Sequence, residues 1–181
     1  MAALAGPGAE VEGRVEVLDG DTLRLPDGRK LRLAAIDTPE LGRPGAQQAA
    51  ECLAGLLQGR RLRLQPPDPP RDRYGRLLAD VVADGSSVSA ALVERGLAWV
   101  YDGRDPALVA LQARAVDARA GVHARLDRAG PAPFVVTSGR FHRRDCPWVA
   151  RDPVRRELEA DVARLLREGY APCRSCLPWP P

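Results

Sequence analysis

Three short segments of the chain contain residues whose types and spacing could do phosphate chemistry. The segments are Asp19–Thr22, Arg32–Glu40 and Asp72–Arg76. Together they supply three carboxylates and two arginines, namely Asp21, Asp37, Glu40, Arg32 and Arg76. Hard divalent cations prefer carboxylate oxygens, and a guanidinium can donate two parallel hydrogen bonds to a phosphate. The set is therefore sufficient to hold a cation, orient a water molecule and clamp a phosphodiester.

Each segment taken alone has an ordinary structural explanation. An Asp-Gly pair such as Asp19-Gly20 usually makes a turn, and the stretch Asp37–Glu40 could cap a helix with an acidic first turn. The three segments together favour a functional site, because a purely structural chain has no need of two arginines and a tyrosine, Tyr74, beside carboxylates.

Hydrophobic periodicity predicts the elements that would position these residues. Alternating apolar and polar residues predict strands at Val11–Val17, Leu23–Leu25, Leu31–Ile36, Arg61–Gln65 and Leu77–Ala83, with Leu97–Tyr101 short and extended. Apolar residues at helical spacing predict helices over Gly45–Gln58, from Ser86 or Ser87 to Arg95, and from Asp105 to Gly121. Such a set of strands and helices suits an oligonucleotide-binding (OB) barrel with helices packed around it.

In their order and in their local sequence, the three segments resemble the staphylococcal (thermonuclease) nuclease family, and the resemblance extends over about Val11 to Ala124. The resemblance implies a mainly β plus α fold, a five-stranded OB barrel with three helices. It also implies that Asp21 and Asp37 bind calcium through their side chains and that Thr38 binds it through its backbone carbonyl.

The resemblance further implies the roles of the remaining residues. Glu40 would sit behind a metal-associated water, either as general base or as a water-orienting group, and both roles fit a carboxylate there. Arg32 and Arg76 would flank the phosphate, while Arg73 and Tyr74 would line the nucleotide pocket. Relatives leave a 3′-phosphate and a 5′-hydroxyl, and we expect the same products here.

Two later positions depart from the family pattern. Tyr101 is not clearly in register with the family's pocket tyrosine, and His123 stands where relatives often place a tryptophan. Neither belongs to the catalytic set, so the departures bear on substrate preference rather than on activity.

Length and charge indicate a chain of two parts. A chain of 181 residues with 45% hydrophobic content can form one packed domain and a small module. We expect a nuclease-like domain at 10–124, a linker at 125–133 and a module at 134–178. The net charge is −1 over residues 10–124 and +4 over residues 125–181. The basic excess could attract phosphate backbones or could simply be a solvated surface.

The C-terminal part has its own predicted elements. Phe134 to Phe141 predicts a hairpin that turns at Ser138-Gly139. Asp152-Pro153 predicts the start of a helix that carries an apolar face and stops at Gly169. These elements define a small α+β module.

Three of the four cysteines belong to a pattern typical of a metal site. Cys52 lies on the apolar side of the first predicted helix, where a buried small hydrophobe is its expected role. His142 and Cys146 form one pair of ligands, and Cys173 and Cys176 form a second. A disulfide framework is the alternative, but it would leave an odd thiol, so spacing and count favour structural zinc.

The cysteine spacing also resembles the zinc-binding domain of the adaptive-response DNA methylphosphotriester repair protein. In that domain four cysteines bind zinc and the first accepts a methyl group, whereas His142 stands first here. The methyl-transfer role is therefore not carried over. What remains is a zinc site that stabilises a module too small to fold easily on apolar burial alone.

The basic residues of the module suggest a docking surface for nucleic acid. They are Arg140, Arg143, Arg144, Arg151, Arg155 and Arg156. A protein-interaction module is the rival interpretation, with Trp148 and Trp179 as exposed anchors.

The function expected from these observations is calcium-dependent hydrolysis of DNA, and also of RNA, with little sequence preference. The alternatives are a non-catalytic OB-type nucleic-acid binder and a DNA-repair accessory factor. All five catalytic side chains are present, which argues against the non-catalytic binder. The sequence shows no signal peptide and no run of about 18 apolar residues, so we expect a cytoplasmic monomer, unless a leader has been removed.

Overall fold

The computed structural model describes residues 8–72, 75–101, 103, 105–126 and 130–177. Arg73, Tyr74 and Trp179 lie outside the described residues. The strands are β1 (Ala9–Glu10), β2 (Glu16–Val17), β3 (Thr22–Arg24), β4 (Lys30–Leu33), β5 (Ile36–Asp37), β6 (Leu62–Gln65), β7 (Leu77–Ala83), β8 (Ser86–Ser87), β9 (Trp99–Val100), β10 (Ala132–Val136), β11 (Arg140–His142), β12 (Arg156–Ala160) and β13 (Ala171–Pro172). The helices are α1 (Ala46–Leu57), α2 (Val88–Glu94), α3 (Pro106–Asp117) and α4 (Val162–Arg167), with 3₁₀ turns at Gly121–Arg125 and Val149–Arg151.

The first sheet is formed by the N-terminal strands. Its order is β1-β6-β7-β4-β3-β2, with β8 paired to β7 at the side. All of its pairs are antiparallel except β4 with β7, which run parallel. Among the described residues, the pairing follows an open path, so the mixed β plus α fold is confirmed while closure of a five-stranded barrel is not.

The three helices of the N-terminal part begin where the sequence predicts. The side chain of Ser87 caps α2 by accepting from the Ala90 amide at 3.0 Å, and Asp105 caps α3 by accepting from the Ala107 amide at 2.8 Å. Helix α1 buries Ala46, Ala49, Leu53 and Leu57. Within the described part of the chain, none of the helices has the length and apolarity to cross a membrane.

The apolar core of this part lies between the sheet and the helices. Leu31, Leu33 and Ile36 of the strands and Leu53 and Leu92 of the helices are fully buried in it. Cys52 is half-buried and packs against the same core, which agrees with its predicted role as a small hydrophobe.

The C-terminal sheet has the order β12-β10-β11-β13. The predicted hairpin is present, because β10 and β11 pair antiparallel around Ser138-Gly139. The predicted helix from Asp152-Pro153 is wrong, since residues 156–160 form β12 and pair with β10 over five positions.

The physical reason for this error is that the edge of β10 supplies hydrogen-bond partners that a helix would leave unused. Leu158 and Ala160 alternate inward as a strand requires. The true helix starts one residue after Asp161, whose carboxylate accepts from the Arg164 amide at 2.6 Å.

The C-terminal elements share a core with the N-terminal part. Trp99, Val116 and Val122 pack in one cluster with Phe134 and Phe141. Gln112 is fully buried and bridges the two parts. Its side-chain oxygen accepts from the Val100 amide at 2.6 Å, and its side-chain amide donates to the Leu166 carbonyl. Arg167 of α4 and Asp117 of α3 also form an exposed ion pair, with 2.7 Å between Nε and Oδ1.

His123 is a fully buried histidine without a polar partner among the described residues. Burial lowers the pKa of His123 from 6.5 to about 4, because the interior disfavours the charged ring. In the part of the chain that the structure describes, neither ring nitrogen has a hydrogen-bond partner, so the residue serves as a packing group where a charge would be costly.

The pKa of His123 predicts a loss of stability on acidification. Between pH 6.5 and about 4 the unfolded chain binds a proton that the folded chain does not, so the free energy of unfolding falls as pH falls. The full loss is on the order of 3 kcal/mol. Replacing His123 by Phe should remove this component, which urea unfolding of both proteins at pH 7 and pH 4.5 would measure.

Other titrations affect the parent and His123→Phe alike, so the difference between them isolates the histidine. Identical pH slopes for the two proteins would contradict the assignment.

Candidate active site and Cys/His cluster

The predicted catalytic residues lie on or next to strands that are neighbours in the N-terminal part. Asp21 immediately precedes β3, and Thr22 of that strand is paired with Arg32 of β4. Arg76 immediately precedes β7, the parallel neighbour of β4. Asp37 ends β5, which pairs with β9 beside the sheet. Residues far apart in sequence are thereby gathered around one point.

Arg32 links the two buried carboxylates. Its Nη2 atom lies 2.6 Å from Asp37 Oδ1 and 3.2 Å from Asp21 Oδ2. Its Nη1 atom donates to the carbonyls of Leu33 and Ile36 at 2.8 and 2.9 Å. The side chain is only 11% exposed, so Arg32 is fixed on all sides. Both carboxylates therefore converge on a single cationic nitrogen.

Asp37 is the most heavily paired carboxylate of the site. It is 1% exposed and receives guanidinium groups from three different elements. Besides Arg32, it accepts from Arg140 Nη2 at 2.7 Å and from Arg174 Nε at 3.0 Å, and Arg174 Nη2 also contacts its Oδ1 atom. Two of these three arginines come from the C-terminal part, 103 and 137 residues away.

The surroundings shift the pKa values of the two carboxylates in opposite directions. Burial raises the pKa of Asp21, opposed by Arg32 and reinforced by the nearby charge of Asp37. Burial also acts to raise the pKa of Asp37, but Arg140, Arg174 and Arg32 outweigh it, so that pKa is lowered. In turn, Asp37 and Glu40 raise the pKa of Arg174 against the opposing effect of burial. Asp37 is therefore held ionised by its neighbours.

A small polar cavity of about 100 Å³ opens beside these groups. Its lining includes Asp21, Arg32, Thr38, Glu40, Arg76 and Arg174. The Thr38 amide donates to Asp21 Oδ2 at 3.1 Å, which anchors that carboxylate at the cavity wall. Glu40 is exposed and contacts Arg174, and Arg76 Nε lies 2.7 Å from Asp72 Oδ2. Five of the residues predicted to act on a phosphodiester therefore line one cavity together with Arg174.

The structure also brings the four predicted zinc ligands together. Their ligand atoms lie within 4.8 Å of one another, and His142, Cys146 and Cys173 are buried. The sulfur atoms of Cys146 and Cys173 are 3.9 Å apart, and all four cysteines are free thiols. The disulfide framework is thus not what the chain forms in this structure.

His142 presents one ring nitrogen to this cluster. Its Nε2 atom lies 3.1 Å from Thr137 Oγ1, and that hydroxyl donates to the Arg140 carbonyl at 3.3 Å. The hydroxyl oxygen can then accept from Nε2–H, which leaves Nδ1 unprotonated. Nδ1 is buried without a polar partner among the described residues, as a ligand nitrogen aimed at a cation would be.

The thiols of the cluster differ in acidity. Burial acts to raise the pKa of Cys173, but the His142 ring and the amides of Cys176 and Ser175 outweigh it and lower that pKa to about 6. Burial raises the pKa of Cys176 to about 12, with further contributions from Cys146 and Cys173. Three sulfurs this close cannot all ionise without a cation to compensate them.

Two arginines of the acidic site, Arg140 and Arg174, are not predicted from the sequence to belong to it. Arg140 was placed on the predicted docking surface, but it lies on Asp37 and stacks over the ring of Tyr101 at 5.0 Å. Arg174 was assigned no role, although its position between two cysteine ligands could have marked it as rigidly held. Of the predicted pocket residues, Arg73 and Tyr74 lie outside the described residues.

Comparison with known proteins identifies the family. The profile described as staphylococcal nuclease homologue matches residues 30–125. This match covers more than half of the chain, so the protein belongs to the staphylococcal nuclease family, whose substrate is nucleic acid. The match includes Arg32, Asp37 and Arg76 but begins after Asp21 and ends before the Cys/His cluster.

Individual relatives agree with the family assignment. The chain is 37% identical over 130 residues to a protein named as an uncharacterized endonuclease in Escherichia coli O157:H7, covering 68% of this chain and 84% of the relative. It is 35% identical over 99 residues to the micrococcal nuclease of Shigella flexneri, covering 48% and 56%. It is 37% identical over 98 residues to Endonuclease YncB of Bacillus subtilis strain 168, covering 47% and 46%.

Gly20 allows the close approach that builds the acidic site. A Cβ atom at Gly20 would lie 2.7 Å from both Thr38 Oγ1 and Ala49 Cβ. The turn that carries Asp21 is therefore pressed directly against the segment that carries Asp37 and against α1.

Gly20→Ala should separate these elements. We expect a loss of about 1–3 kcal/mol in the free energy of unfolding, because an overpacked contact must be relieved by backbone movement. Gly55→Ala on the open side of α1 is the matched control, where a Cβ meets nothing within 4 Å. The control should gain about 0.5–1 kcal/mol, and chemical denaturation measures both. Equal stability of Gly20→Ala and the parent would contradict this account.

Proposed function

We propose that this protein is a calcium-dependent nuclease that hydrolyses phosphodiester bonds of DNA and RNA with little sequence preference, on the family's five-stranded OB barrel. The products are 3′-phosphate and 5′-hydroxyl ends. The observation that carries the proposal is the convergence of Asp21 and Asp37 on one nitrogen of Arg32. Asp21 and Arg32 also line a cavity together with Glu40 and Arg76.

The donor set fits a hard divalent cation. Two buried carboxylates that converge on one point are the ligands such an ion prefers, and Thr38 follows Asp37 directly. Asp21, Asp37 and the Thr38 carbonyl would hold the ion. Calcium bound there would neutralise charge on the phosphate and supply a coordinated water.

The chain's own side chains supply the remaining functions. Glu40 is exposed at the cavity and can accept a proton from an attacking water or orient it. Arg76 also lines the cavity, and its guanidinium can donate to the nonbridging oxygens of a phosphate. Arg32, pinned by two carbonyls and two carboxylates, holds the acidic pair in place and presents positive charge to the same cavity.

The Cys/His cluster is proposed as a structural zinc site. Three thiols and one imidazole nitrogen within 4.8 Å form a donor set that suits tetrahedral zinc. The unpartnered Nδ1 atom of His142 supports this assignment. When zinc is bound, it ties the β10–β11 hairpin to the segment after β13.

The predicted docking of nucleic acid on the module stays a prediction. Three of the six arginines predicted for this surface make other contacts in the structure. Arg140 forms an ion pair with Asp37, and Arg144 lies 3.2 Å from Glu157. Arg151 stacks on the Trp148 ring at 4.5 Å. Arg143, Arg155 and Arg156 are exposed. These remaining arginines are the ones on which a nucleic-acid contact would depend.

A cleavage assay tests the proposed function directly. Single- and double-stranded DNA and RNA are incubated with the protein in calcium and then in calcium with an excess of chelator. We expect cleavage of all four substrates in calcium and none with the chelator. Cleavage that the chelator leaves unchanged, or no cleavage at all, would overturn the metal assignment.

In the same assay, Arg76→Lys should lower kcat by about tenfold to a hundredfold, because lysine cannot donate two parallel hydrogen bonds to a phosphate. Arg63→Lys is the matched control, since Arg63 is 62% exposed and pairs with Glu10 on the first sheet. If Arg76→Lys cleaves as fast as Arg63→Lys, the assignment of Arg76 is wrong.

The zinc assignment predicts the metal content of the purified protein. We expect about one zinc ion per chain, measured by elemental analysis, because four donors complete a tetrahedral site. Cys176→Ser should lower this content and Cys52→Ser should not, since Cys52 lies in α1 with the N-terminal core. Equal zinc content in the two variants would contradict the assignment.

A further inference from the structure

Arg174 connects the C-terminal module to the acidic site. It lies between Cys173 and Cys176 and extends its guanidinium into the carboxylates of the N-terminal part. Its Nη2 atom contacts Asp37 Oδ1 and lies 3.8 Å from Asp21 Oδ2, and its Nη1 atom contacts Glu40. One guanidinium therefore touches the three carboxylates that are proposed to serve the cation and its water.

Of the three arginines on this cluster, Arg174 is the most exposed and has no backbone carbonyl partner among the described residues. Arg32 is also held by the carbonyls of Leu33 and Ile36, and Arg140 by the carbonyl of Pro172 at 2.8 Å. Within the described part of the chain, the side chain of Arg174 bonds only to the three carboxylates. It is 41% exposed, against 11% for Arg32 and 19% for Arg140.

The backbone under Arg174 is fixed. The Cys173 amide donates to the Phe141 carbonyl at 3.0 Å, and the Leu177 amide donates to the Cys173 carbonyl at 3.0 Å. Withdrawal would therefore be a rotation of the side chain, with the guanidinium still tethered close to the cluster.

We propose that Arg174 is a built-in counter-ion that competes with the divalent cation for Asp21, Asp37 and Glu40, so that the C-terminal module sets the metal affinity of the nuclease site. The proposal rests on the proposed function of that site. Three carboxylates so close repel one another, and the guanidinium of Arg174 adds to the compensation that Arg32 and Arg140 supply. A divalent cation can bind only when this guanidinium has moved away, so the measured affinity is reduced by the fraction of molecules in which it has done so.

Calcium titration calorimetry on the full-length, zinc-loaded protein tests this competition. Arg174→Met removes the guanidinium and keeps an apolar stem of similar length, so calcium should bind with a dissociation constant lower by about tenfold or more. Arg164→Met is the matched control, because it removes the same charge from α4, where Arg164 pairs with Glu168. The control should bind calcium like the parent.

A further variant, Asp37→Asn, identifies the site. Its heat of calcium binding should vanish if the calcium measured in the titration binds at the acidic cluster. Equal dissociation constants for the parent and Arg174→Met, with Asp37→Asn silent, would overturn the competition and leave the proposed function standing. Absence of calcium binding in both the parent and Arg174→Met would overturn the competition together with the proposed metal.

Folding of the variants is checked by zinc content and by the midpoint of thermal unfolding. If Arg174→Met does not fold, Arg174→Gln takes its place, because glutamine is neutral and still donates a hydrogen bond to the cluster. The same lower dissociation constant is expected from it, and an unchanged value would overturn the competition.

Discussion

The rest of this structure depends on the charge balance at Asp37. A carboxylate that is 1% exposed would be strongly disfavoured alone, and three guanidiniums from β4, β11 and the segment after β13 compensate it. Removing one partner of a buried pair typically costs about 3–5 kcal/mol, because the remaining charge stays buried. The same compensation fixes where the C-terminal part can lie against the N-terminal sheet. The proposed metal site and the contact between the two parts thus depend on the same side chain.

This arrangement changes the role given to the C-terminal module. As a separate domain on a linker it would only add affinity for substrate. In the structure it shares an apolar cluster with Trp99, Val116 and Val122, and the buried Gln112 ties it to α3. It also contributes Arg140, which pairs with Asp37, and Arg174, which lines the cavity of the acidic site. Cys173 and Cys176 of the Cys/His cluster flank Arg174 in the chain, so the proposed zinc site and the candidate catalytic site lie on neighbouring parts of one unit.

The parts that could be predicted from sequence are those governed by local rules. Ser87 and Asp105 mark helix starts through side-chain caps, and the alternation of Leu77–Ala83 predicts the strand that the structure contains. The helix predicted after Asp152 failed because pairing of residues 156–160 with β10 overrides a helical apolar period. The ligand set of the Cys/His cluster was within reach for the same local reason, since each pair of donors is closely spaced.

The acidic site could be predicted from the sequence only in part. Asp21, Asp37 and Arg76 were recognised through their resemblance to a family, and the packing of Gly20 against Thr38 explains how the fold gathers two of them. Arg174 could not be recognised in this way. It lies 137 residues from Asp37, outside the family match, and only tertiary packing brings its guanidinium to the carboxylates.

A crystal structure of the 181-residue chain with calcium would show directly whether the cation and Arg174 exchange places at Asp37. We expect calcium bound by Asp21, Asp37 and the Thr38 carbonyl, with the Arg174 guanidinium withdrawn from Asp37. Calcium bound elsewhere, with Arg174 still paired to Asp37 and Glu40, would contradict this expectation.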